Sequence, residues 1–414
     1  MADELAGLPI GQRIQRIRER TGKTRPVVAG MLGRSVSWLK AIEGGRLRPP
    51  SVDELIRIAG VLGVTSFSEL IGDGIDPVTL DQRTTLDVVP AIREAIETPL
   101  LSAGDHPAPE PASLHERVEH AWRVWHASVR PRSDAGLLLP GLITDSRRAA
   151  RMLDGDAARH ANMALAGAYA LSEQVLAWVA DAPLLWLAAD RCMEAAMRAD
   201  DPETIAAASW VLGNVWRSTG REEDAVQLVQ DACRLLEPRL DGDSDTARAL
   251  WGSCQLHGAI TAARLGREGD ALRGVDLAGE MATKMPGDYM HPWTLFASPN
   301  VALTGVSVQV DLVKNKSALE YASKVDPDSI GSVDRRARLW LETARAYSGA
   351  KDYTGALGVM KRAVAVSEEC MRCHPLARGI AGELVTSGGS LIHSEARRYG
   401  GPGWGLATCE RGLP

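Results

Sequence analysis

The segment Cys370-Met371-Arg372-Cys373-His374 is a stretch of this sequence whose residue types and spacing match a chemical motif. Two thiols separated by two residues and followed by histidine have the spacing of covalent haem attachment. That attachment requires export, and the first residues, MADELAGLPIGQ, lack the layout of an export signal. A structural zinc site needs four ligands, more than this segment supplies. We therefore expect a helix end that carries two thiols, with a redox-sensing pair as the alternative.

The rest of the chain shows no catalytic motif. It contains no Gly-rich phosphate loop, no GxSxG nucleophile elbow and no HExxH pair. His115, His120 and His126 lie on one predicted helix without further metal ligands at suitable spacing. We expect a protein that is not an enzyme and that uses no metal or cofactor.

Charge is distributed unevenly along the 414 residues, whose net charge is −6. Residues 1–72 hold 11 Lys and Arg against 7 Asp and Glu, whereas the remainder holds 36 against 46. Cations clustered at one end favour a contact with nucleic-acid phosphates there. No apolar run is long enough to span a bilayer, and the six scattered cysteines do not form a disulfide pattern. We expect a cytoplasmic protein with no membrane contact.

Five short helices are predicted within residues 10–72. Ile10, Ile14 and Ile17 recur at the spacing of one helical face, which predicts the first helix. The helices are separated by turn and cap residues, namely Gly22, Thr24, Gly33, Ser35, Gly44, Ser51 and Ser66. The second and third helices, joined by the short turn at Gly33-Arg34, form a helix-turn-helix candidate.

Residues 24–46 resemble, without a gap, the helix-turn-helix segment of Xre/Cro-family regulators. The matching positions are Ala29, Gly33, Ser35, Leu39, Ile42, Glu43, Gly45 and Arg46. The resemblance covers residues 10–72 and implies a five-helix, all-α domain that binds double-stranded DNA, with its third helix in the major groove.

Carried over by position, the resemblance implies a set of DNA-contacting residues. These are Arg25, Arg34, Ser35, Val36, Ser37, Lys40, Ala41 and Arg46. Val36 and Ala41 stand where the family often has hydrogen-bonding side chains, and apolar groups make no bidentate hydrogen bonds to bases. We therefore expect specificity to depend on the polar members of the set and on DNA shape. Trp38 is expected in the domain core, with stacking near the DNA backbone as the alternative.

Composition divides the chain after residue 72. Residues 73–113 combine loop-like and Pro-rich stretches with one short predicted helix, VVPAIREAI, and this composition is typical of a linker. Residues 114–398 are a long series of amphipathic helices separated by short turns. Residues 399–414 predict a flexible tail.

The helices of residues 114–398 resemble tetratricopeptide repeats. Leu212-Gly213, Trp216, Gly220 and Ala225 fit one unit, and a second unit begins near Trp340. Turn alanines recur at spacings of 37, 46, 47 and 38 residues, at Ala188, Ala225, Ala271, Ala318 and Ala356. The resemblance implies an α-solenoid of five to seven stacked helix pairs.

A solenoid of this kind binds peptides or small ligands on its concave face, which the first helix of each pair lines. The segment 285–300 interrupts the repeats and is dense in aromatic residues and proline. The candidate ligand-binding residues on the concave stripes and near this segment are Trp210, Asn214, Arg217, Trp251, Gln255, Trp293, Asn300 and Thr304. The alternatives are packing between repeats for Trp210 and an apolar plug for the segment.

The two modules together resemble a group of regulators in filamentous actinobacteria and, in layout, the quorum-sensing peptide receptors of Gram-positive bacteria. The resemblance implies a transcriptional regulator that binds DNA as a homodimer and whose solenoid senses a peptide or small molecule. The alternative is an interaction protein whose solenoid docks a protein partner while DNA binding localises it. A closed, aromatic-lined groove favours the sensor, and a broad apolar patch favours the docking platform.

Overall fold

Every regular element of the described chain is helical. The computed structural model describes residue 5 and residues 8–47, 50, 52–64, 68–71, 84, 86–101, 107–242, 244–287 and 289–399, and these contain no β-strand. The helices of the N-terminal part, which we call the head, are Ile10–Arg20 (α1), Arg25–Leu32 (α2), Val36–Glu43 (α3), Val52–Leu62 (α4) and Ser68–Ile71 (α5).

The apolar faces of the head helices form one small core. Ile14, Leu39 and Ile58 are fully buried at its centre. Ser35 caps α3 as predicted, with its Oγ accepting a hydrogen bond from the Trp38 amide at 3.0 Å. Thr24 precedes α2 but makes no side-chain capping hydrogen bond. The predicted caps Ser51 and Ser66 lie outside the described residues.

The rest of the chain, which we call the body, is a succession of helices. They are Val88–Glu97 (α6), Pro111–Ala127 (α7), Pro131–Gly136 (α8), Leu139–Met152 (α9), Gly155–Leu176 (α10), Ala182–Ala199 (α11), Pro202–Ser218 (α12), Glu222–Leu236 (α13), Asp245–Arg264 (α14), Glu268–Thr283 (α15), Ser298–Asp311 (α16), Asn315–Ala322 (α17), Val333–Gly349 (α18), Tyr353–Val366 (α19), Glu368–Cys373 (α20), Pro375–Ser387 (α21) and Gly389–Ala396 (α22). Consecutive helices from α10 to α19 pack as pairs, and each pair contacts the next. The predicted all-α fold with a helical solenoid is confirmed.

The predicted turn alanines lie where the two helices of a pair touch. Ala188, Ala225, Ala271, Ala318 and Ala356 are all fully buried. Gly213 plays a similar part on α12, because a β-carbon there would lie 3.0 Å from the His257 ring and 3.4 Å from Val229. Small residues at these positions let neighbouring helices approach closely.

Helix α6 belongs to the body, although its sequence context predicts a linker. Val88, Ile92 and Ile96 are buried in the same core as α7, α9 and α10. The periodic apolar face of this one helix outweighs the Pro-rich composition around it, since that face is covered by α8, α9 and α11.

The segment between α15 and α16 fills the interior of the solenoid. Phe296 is fully buried, and the Trp293 ring stacks on the Trp122 ring with centroids 5.9 Å apart. His126 donates from Nε2 to the Pro292 carbonyl at 2.7 Å, and burial lowers its pKa to about 4. The aromatic residues of this segment thus act as a plug.

The body closes on itself because its last helices return to its first. Helix α18 packs against α7, and α20 packs against α8. The Glu369 carboxylate accepts hydrogen bonds from the backbone amides of Arg132, at 2.7 Å, and Ser133, at 3.3 Å. Ser367 Oγ donates to the Val129 carbonyl at 2.7 Å. These contacts bring the last helices of the body against its first ones, around the concave side of the solenoid.

No helix in the described part of the chain is long and apolar enough to cross a membrane.

Replacing Gly252 of α14 with alanine should destabilise the body. The new β-carbon would lie 2.1 Å from Cζ of the buried Phe296 ring, so the plug must shift. We expect a loss of about 1–3 kcal/mol in the free energy of unfolding. Gly258→Ala on the same helix is the matched control, because its nearest neighbour, Val229 Cγ2, is 3.7 Å away. The control should be neutral or up to about 1 kcal/mol more stable. Tryptophan-monitored urea unfolding measures both, and equal effects would contradict the plug packing.

Candidate functional site

Helix α3 presents a mixed surface at the position of a DNA-reading helix. Ser37 and Lys40 are exposed, and Val36 is 44% exposed, while Leu39 and Ile42 anchor the helix in the core. Trp38 is buried in the head core as expected, and the Arg34 guanidinium lies over its ring at 5.4 Å. Among the other predicted DNA contacts, Ser35 and Arg46 are exposed and Ala41 is partly buried.

A buried ion cluster fixes the angle between α2 and α3. Glu43, 2% exposed, accepts hydrogen bonds from Arg18 Nε at 2.5 Å and from Arg25 Nε at 2.6 Å. The hydrogen bond to Glu43 is the main reason that the pKa of Arg18 is raised. The structure therefore gives Arg25, predicted to grip phosphate, a positioning contact through Nε, and leaves 35% of its side chain exposed.

The structure places Arg34 where the head meets the body, whereas its position in the sequence predicts a contact with DNA. Its Nη2 lies 2.8 Å from Glu54 Oε1 and 3.4 Å from Glu222 Oε2, so it connects the head with α13 of the body. Only 13% of the side chain is exposed. In this arrangement Arg34 is held by two carboxylates and does not point into a DNA-accessible surface.

A narrow groove separates the helix-turn-helix from the body. Its volume is about 290 Å³, and it is lined by Gly33, Arg34, Ser35, Ser37, Trp38, Ala41, Glu223, Leu265, Gly266 and Arg267. The head side is the turn before α3 and the start of α3, and the body side comprises the first turn of α13 and the turn between α14 and α15. A space of this size is far too small for a DNA duplex, whose major groove alone is about 12 Å wide.

The concave side of the body contains a second cavity, of about 270 Å³. It is lined by Trp210, Asn214 and Arg217 of α12 and by Asn300 and Thr304 of α16, all of them candidate ligand residues. The helical spacing i, i+4, i+7 places the three residues of α12 on one face, as the repeat resemblance implies.

Trp251, Gln255 and Trp293 lie outside this cavity lining. Gln255 Nε2 is directed towards Cys233 Sγ at 3.6 Å, on the α13 side of α14. Trp251 packs between two apolar clusters. Trp293 is stacked on Trp122 in the plug. Ligand contact at these positions is therefore not supported by their placement.

Several charged lining residues were not predicted from the sequence. Arg264 of α14, which the sequence pattern also predicts as a continuation of the ligand-binding stripe, lines the cavity. The charged and titratable lining residues that were not predicted are Glu173, His257, Asp334, Arg335, Arg338 and His374. Polar residues at otherwise apolar helix positions were the available signal, because Glu173 and His257 are 3% and 2% exposed.

Behind the lining, two buried carboxylates are each shared by two arginines. Asp311 contacts Arg264 at 3.2 Å and Arg345 at 2.7 Å. Glu342 contacts Arg338 at 2.6 Å and Arg345 at 3.2 Å. Charges held in such a network stabilise one another only when the partners are precisely placed, so the network fixes the arginines at the cavity wall.

The side chain of Glu173, on α10, lies near these positive charges. It accepts a hydrogen bond from Gln174 Nε2 at 2.5 Å. Burial raises its pKa to about 7, although the nearby charges of Arg217 and Arg132 act in the opposite direction. Close to neutral pH, this carboxyl therefore changes between a neutral and a charged form.

The Cys370–His374 segment forms α20 and the start of α21. Cys370 and Cys373 are free and buried, and burial raises the pKa of both thiols. A raised pKa disfavours the reactive thiolate. The His374 ring lies against the Trp178 ring, tilted by 45° and with ring centroids 4.0 Å apart, beside the cavity. The segment is thus a helix end that packs the cavity wall, which favours the structural interpretation over a redox pair.

A family model described as a helix-turn-helix domain matches residues 9–67. The head is therefore a helix-turn-helix domain, a class of domain with which regulators bind DNA. No curated protein sequence matches the chain.

Solved structures with a similar helical fold include three proteins of low sequence identity. The Rap protein complexed with competence and sporulation factor is 11% identical, over 70% of this chain and 76% of that one, with a TM-score of 0.46. PlcR of Bacillus thuringiensis, in complex with the peptide PapR7 and DNA, is 12% identical over 90% and 98%, with a TM-score of 0.29. The apo competence regulator ComR of Streptococcus vestibularis is 15% identical over 80% and 97%, with a TM-score of 0.31.

Replacing Glu173 with glutamine should stabilise the protein in a pH-dependent way. The carboxyl pKa rises from 4.5 to about 7 on folding, so its neutral form contributes stability that is complete below 4.5 and is lost as pH rises through 7. Relative to wild type, Glu173→Gln should gain roughly 2–3 kcal/mol between about pH 5 and about pH 8.5. Urea unfolding at the two pH values measures this gain. The exposed Glu280→Gln serves as control and should show no such difference; a pH-independent effect of Glu173→Gln would contradict the buried titration.

Proposed function

We propose that this protein is a sequence-specific transcriptional regulator whose body senses a peptide or small-molecule ligand. The observation that carries the proposal is the combination, in one chain, of a helix-turn-helix head with a cavity lined by charged and aromatic side chains. A cavity with convergent polar groups is typical of ligand binding and favours a sensor over a docking platform.

The route from the cavity to the head is short. Arg217 and Arg264 line the cavity at the C-terminal ends of α12 and α14. The turns that immediately follow these helices lead to Glu222, which contacts Arg34, and to Gly266, which faces the groove. A ligand that shifts either helix end would therefore change how the body holds the head.

In this proposal the arrangement described above is the form that does not bind DNA. The start of α3 faces the body across a groove that excludes a duplex, so the head must separate from the body before Ser37 and Ala41 can reach a base edge. DNA binding as a homodimer, with two heads placed on half-sites one helical turn apart, completes the proposal.

Lys40→Ala should weaken binding to the specific site more than binding to unrelated DNA. Lys40 is exposed on α3 and is one of the polar residues on which specificity is expected to depend. The loss of a base contact should cost about 1–3 kcal/mol of discrimination, which is about 5- to 150-fold in the affinity ratio. Genomic footprinting with the wild-type protein supplies the site, and mobility shifts with this site and with an unrelated duplex measure the ratio. Lys316→Ala, an exposed position on α17, is the control and should bind as wild type. Absence of any sequence-selective binding by the wild-type chain would overturn the regulator proposal.

Glu222→Gln should raise DNA affinity by about fivefold. The substitution removes the charged contact between Glu222 and Arg34, of about 1 kcal/mol, and leaves the residues of the head unchanged. The body then restrains the head less strongly. Glu268→Gln is the matched control: it lies in the first turn of α15 and pairs with Lys314 instead. Fluorescence anisotropy with a labelled site duplex measures both variants. Unchanged affinity of Glu222→Gln would exclude this contact as a restraint on DNA binding.

A further inference from the structure

The guanidinium of Arg217 forms no ion pair with a described residue inside the body cavity, although the charges of Asp311 and Glu173 act to raise its pKa against the larger effect of burial. Its Nη2 donates to Asn214 Oδ1 at 2.8 Å, whereas the buried Nη1 has no hydrogen-bond partner among the described residues. Its neighbours Arg264 and Arg338 each have a buried carboxylate within 3.2 Å. A half-buried guanidinium with an unpartnered N–H group suits an acidic group from outside the chain.

His257 adds a second unsatisfied group to the same wall. It is 2% exposed and lines the cavity, and neither ring nitrogen makes a hydrogen bond of good geometry in the described part of the chain, although the Gly213 backbone lies close enough to act on its pKa. Burial lowers its pKa well below the usual value, so the ring is neutral and offers one N–H donor and one acceptor. A donor beside an arginine suits a carboxylate or phosphate oxygen.

The cavity lining also contains two indole rings. Trp178 and Trp210 line it, and Trp178 is 39% exposed although the Arg132 guanidinium lies 5.4 Å from its ring centre. The backbone of Trp178 has φ of 67°, a left-handed conformation that is costly for a bulky residue. Such a conformation persists where the surrounding structure enforces it, and here it holds an indole at the cavity.

We infer that the cavity binds a small organic anion, whose acidic group pairs with Arg217 beside His257 and whose apolar part lies against Trp178 and Trp210. Four arginines and two acids line the cavity, and since Arg264 and Arg338 are paired with Asp311 and Glu342 behind the wall, it is Arg217 that favours an anionic ligand. The volume of about 270 Å³ lies below the range of about 300–1,000 Å³ that holds drug-sized ligands, so the ligand is a small acid or the carboxylate end of a peptide. This inference names the ligand class for the sensing role proposed above.

The test compares acids with their neutral amides on the full-length protein without DNA. Phenylacetate and phenylacetamide represent the free acid, and leucylphenylalanine and its C-terminal amide represent a peptide end. At about ten times its Kd, a binding acid should raise the Tm by about 2 °C, and its amide should not. A response to phenylacetate supports a small-acid ligand, and a response to the dipeptide alone supports a peptide carboxylate. No response to either acid at millimolar concentrations, or equal responses to acid and amide, overturns the inference.

Arg217→Met separates a binding role from a structural one. Removing an unpaired buried cation should raise the Tm of the unliganded protein, whereas the Kd for the responsive acid should increase at least about tenfold. Arg234→Met, at a 57% exposed side chain on α13, is the control and should leave the acid affinity unchanged. A lower Tm together with unchanged affinity would contradict the assignment. Because DNA is absent from these measurements, their outcome is independent of whether the head binds DNA.

Discussion

The hydrogen bonds between Glu369 and the first turn of α8 close the solenoid, and the cavity depends on that closure. An open superhelix exposes its concave face to water, where charged side chains are solvated at little cost. Here the returning helices α18 and α20 bring Asp334 and Cys370 opposite Glu173 and Arg217. Closure thus shields acidic and basic side chains of the cavity from bulk water. The interactions between these charges become stronger because the local dielectric constant is lower.

The balance of charge inside this closed space follows from how its acids are shared. Asp311 and Glu342 each form ion pairs with two other arginines, so the charge of Asp311 that also acts on Arg217 is shared. Glu173, with a pKa of about 7, is in part protonated near neutral pH and cannot supply a full negative charge. An excess of positive charge is therefore a property of the folded body, and it couples the protonation of Glu173 to the binding of any anion.

Much of the fold is predictable because it depends on local periodicity. The buried turn alanines and the cap at Ser35 follow from spacing within one helix pair or one turn. The spacing i, i+4, i+7 likewise predicts that Trp210, Asn214 and Arg217 share one face of α12. Helix α14 differs because it is buried on most of its circumference, so its sequence does not mark which side faces the cavity. The lining residues of this helix include His257 and Arg264, whereas the predicted pair Trp251 and Gln255 packs elsewhere.

Contacts between residues far apart in the chain produce no periodic pattern in the sequence. Arg34 fits a DNA-contacting position in the helix-turn-helix pattern, yet it contacts Glu222, 188 residues later, through a pairing that only the assembled body creates. His374 reaches the cavity because the last helices return to the first ones. Both residues lie at joints between parts of the molecule. Since a sensor must transmit a change across such joints, the residues that link ligand to DNA are those that sequence periodicity is least able to reveal.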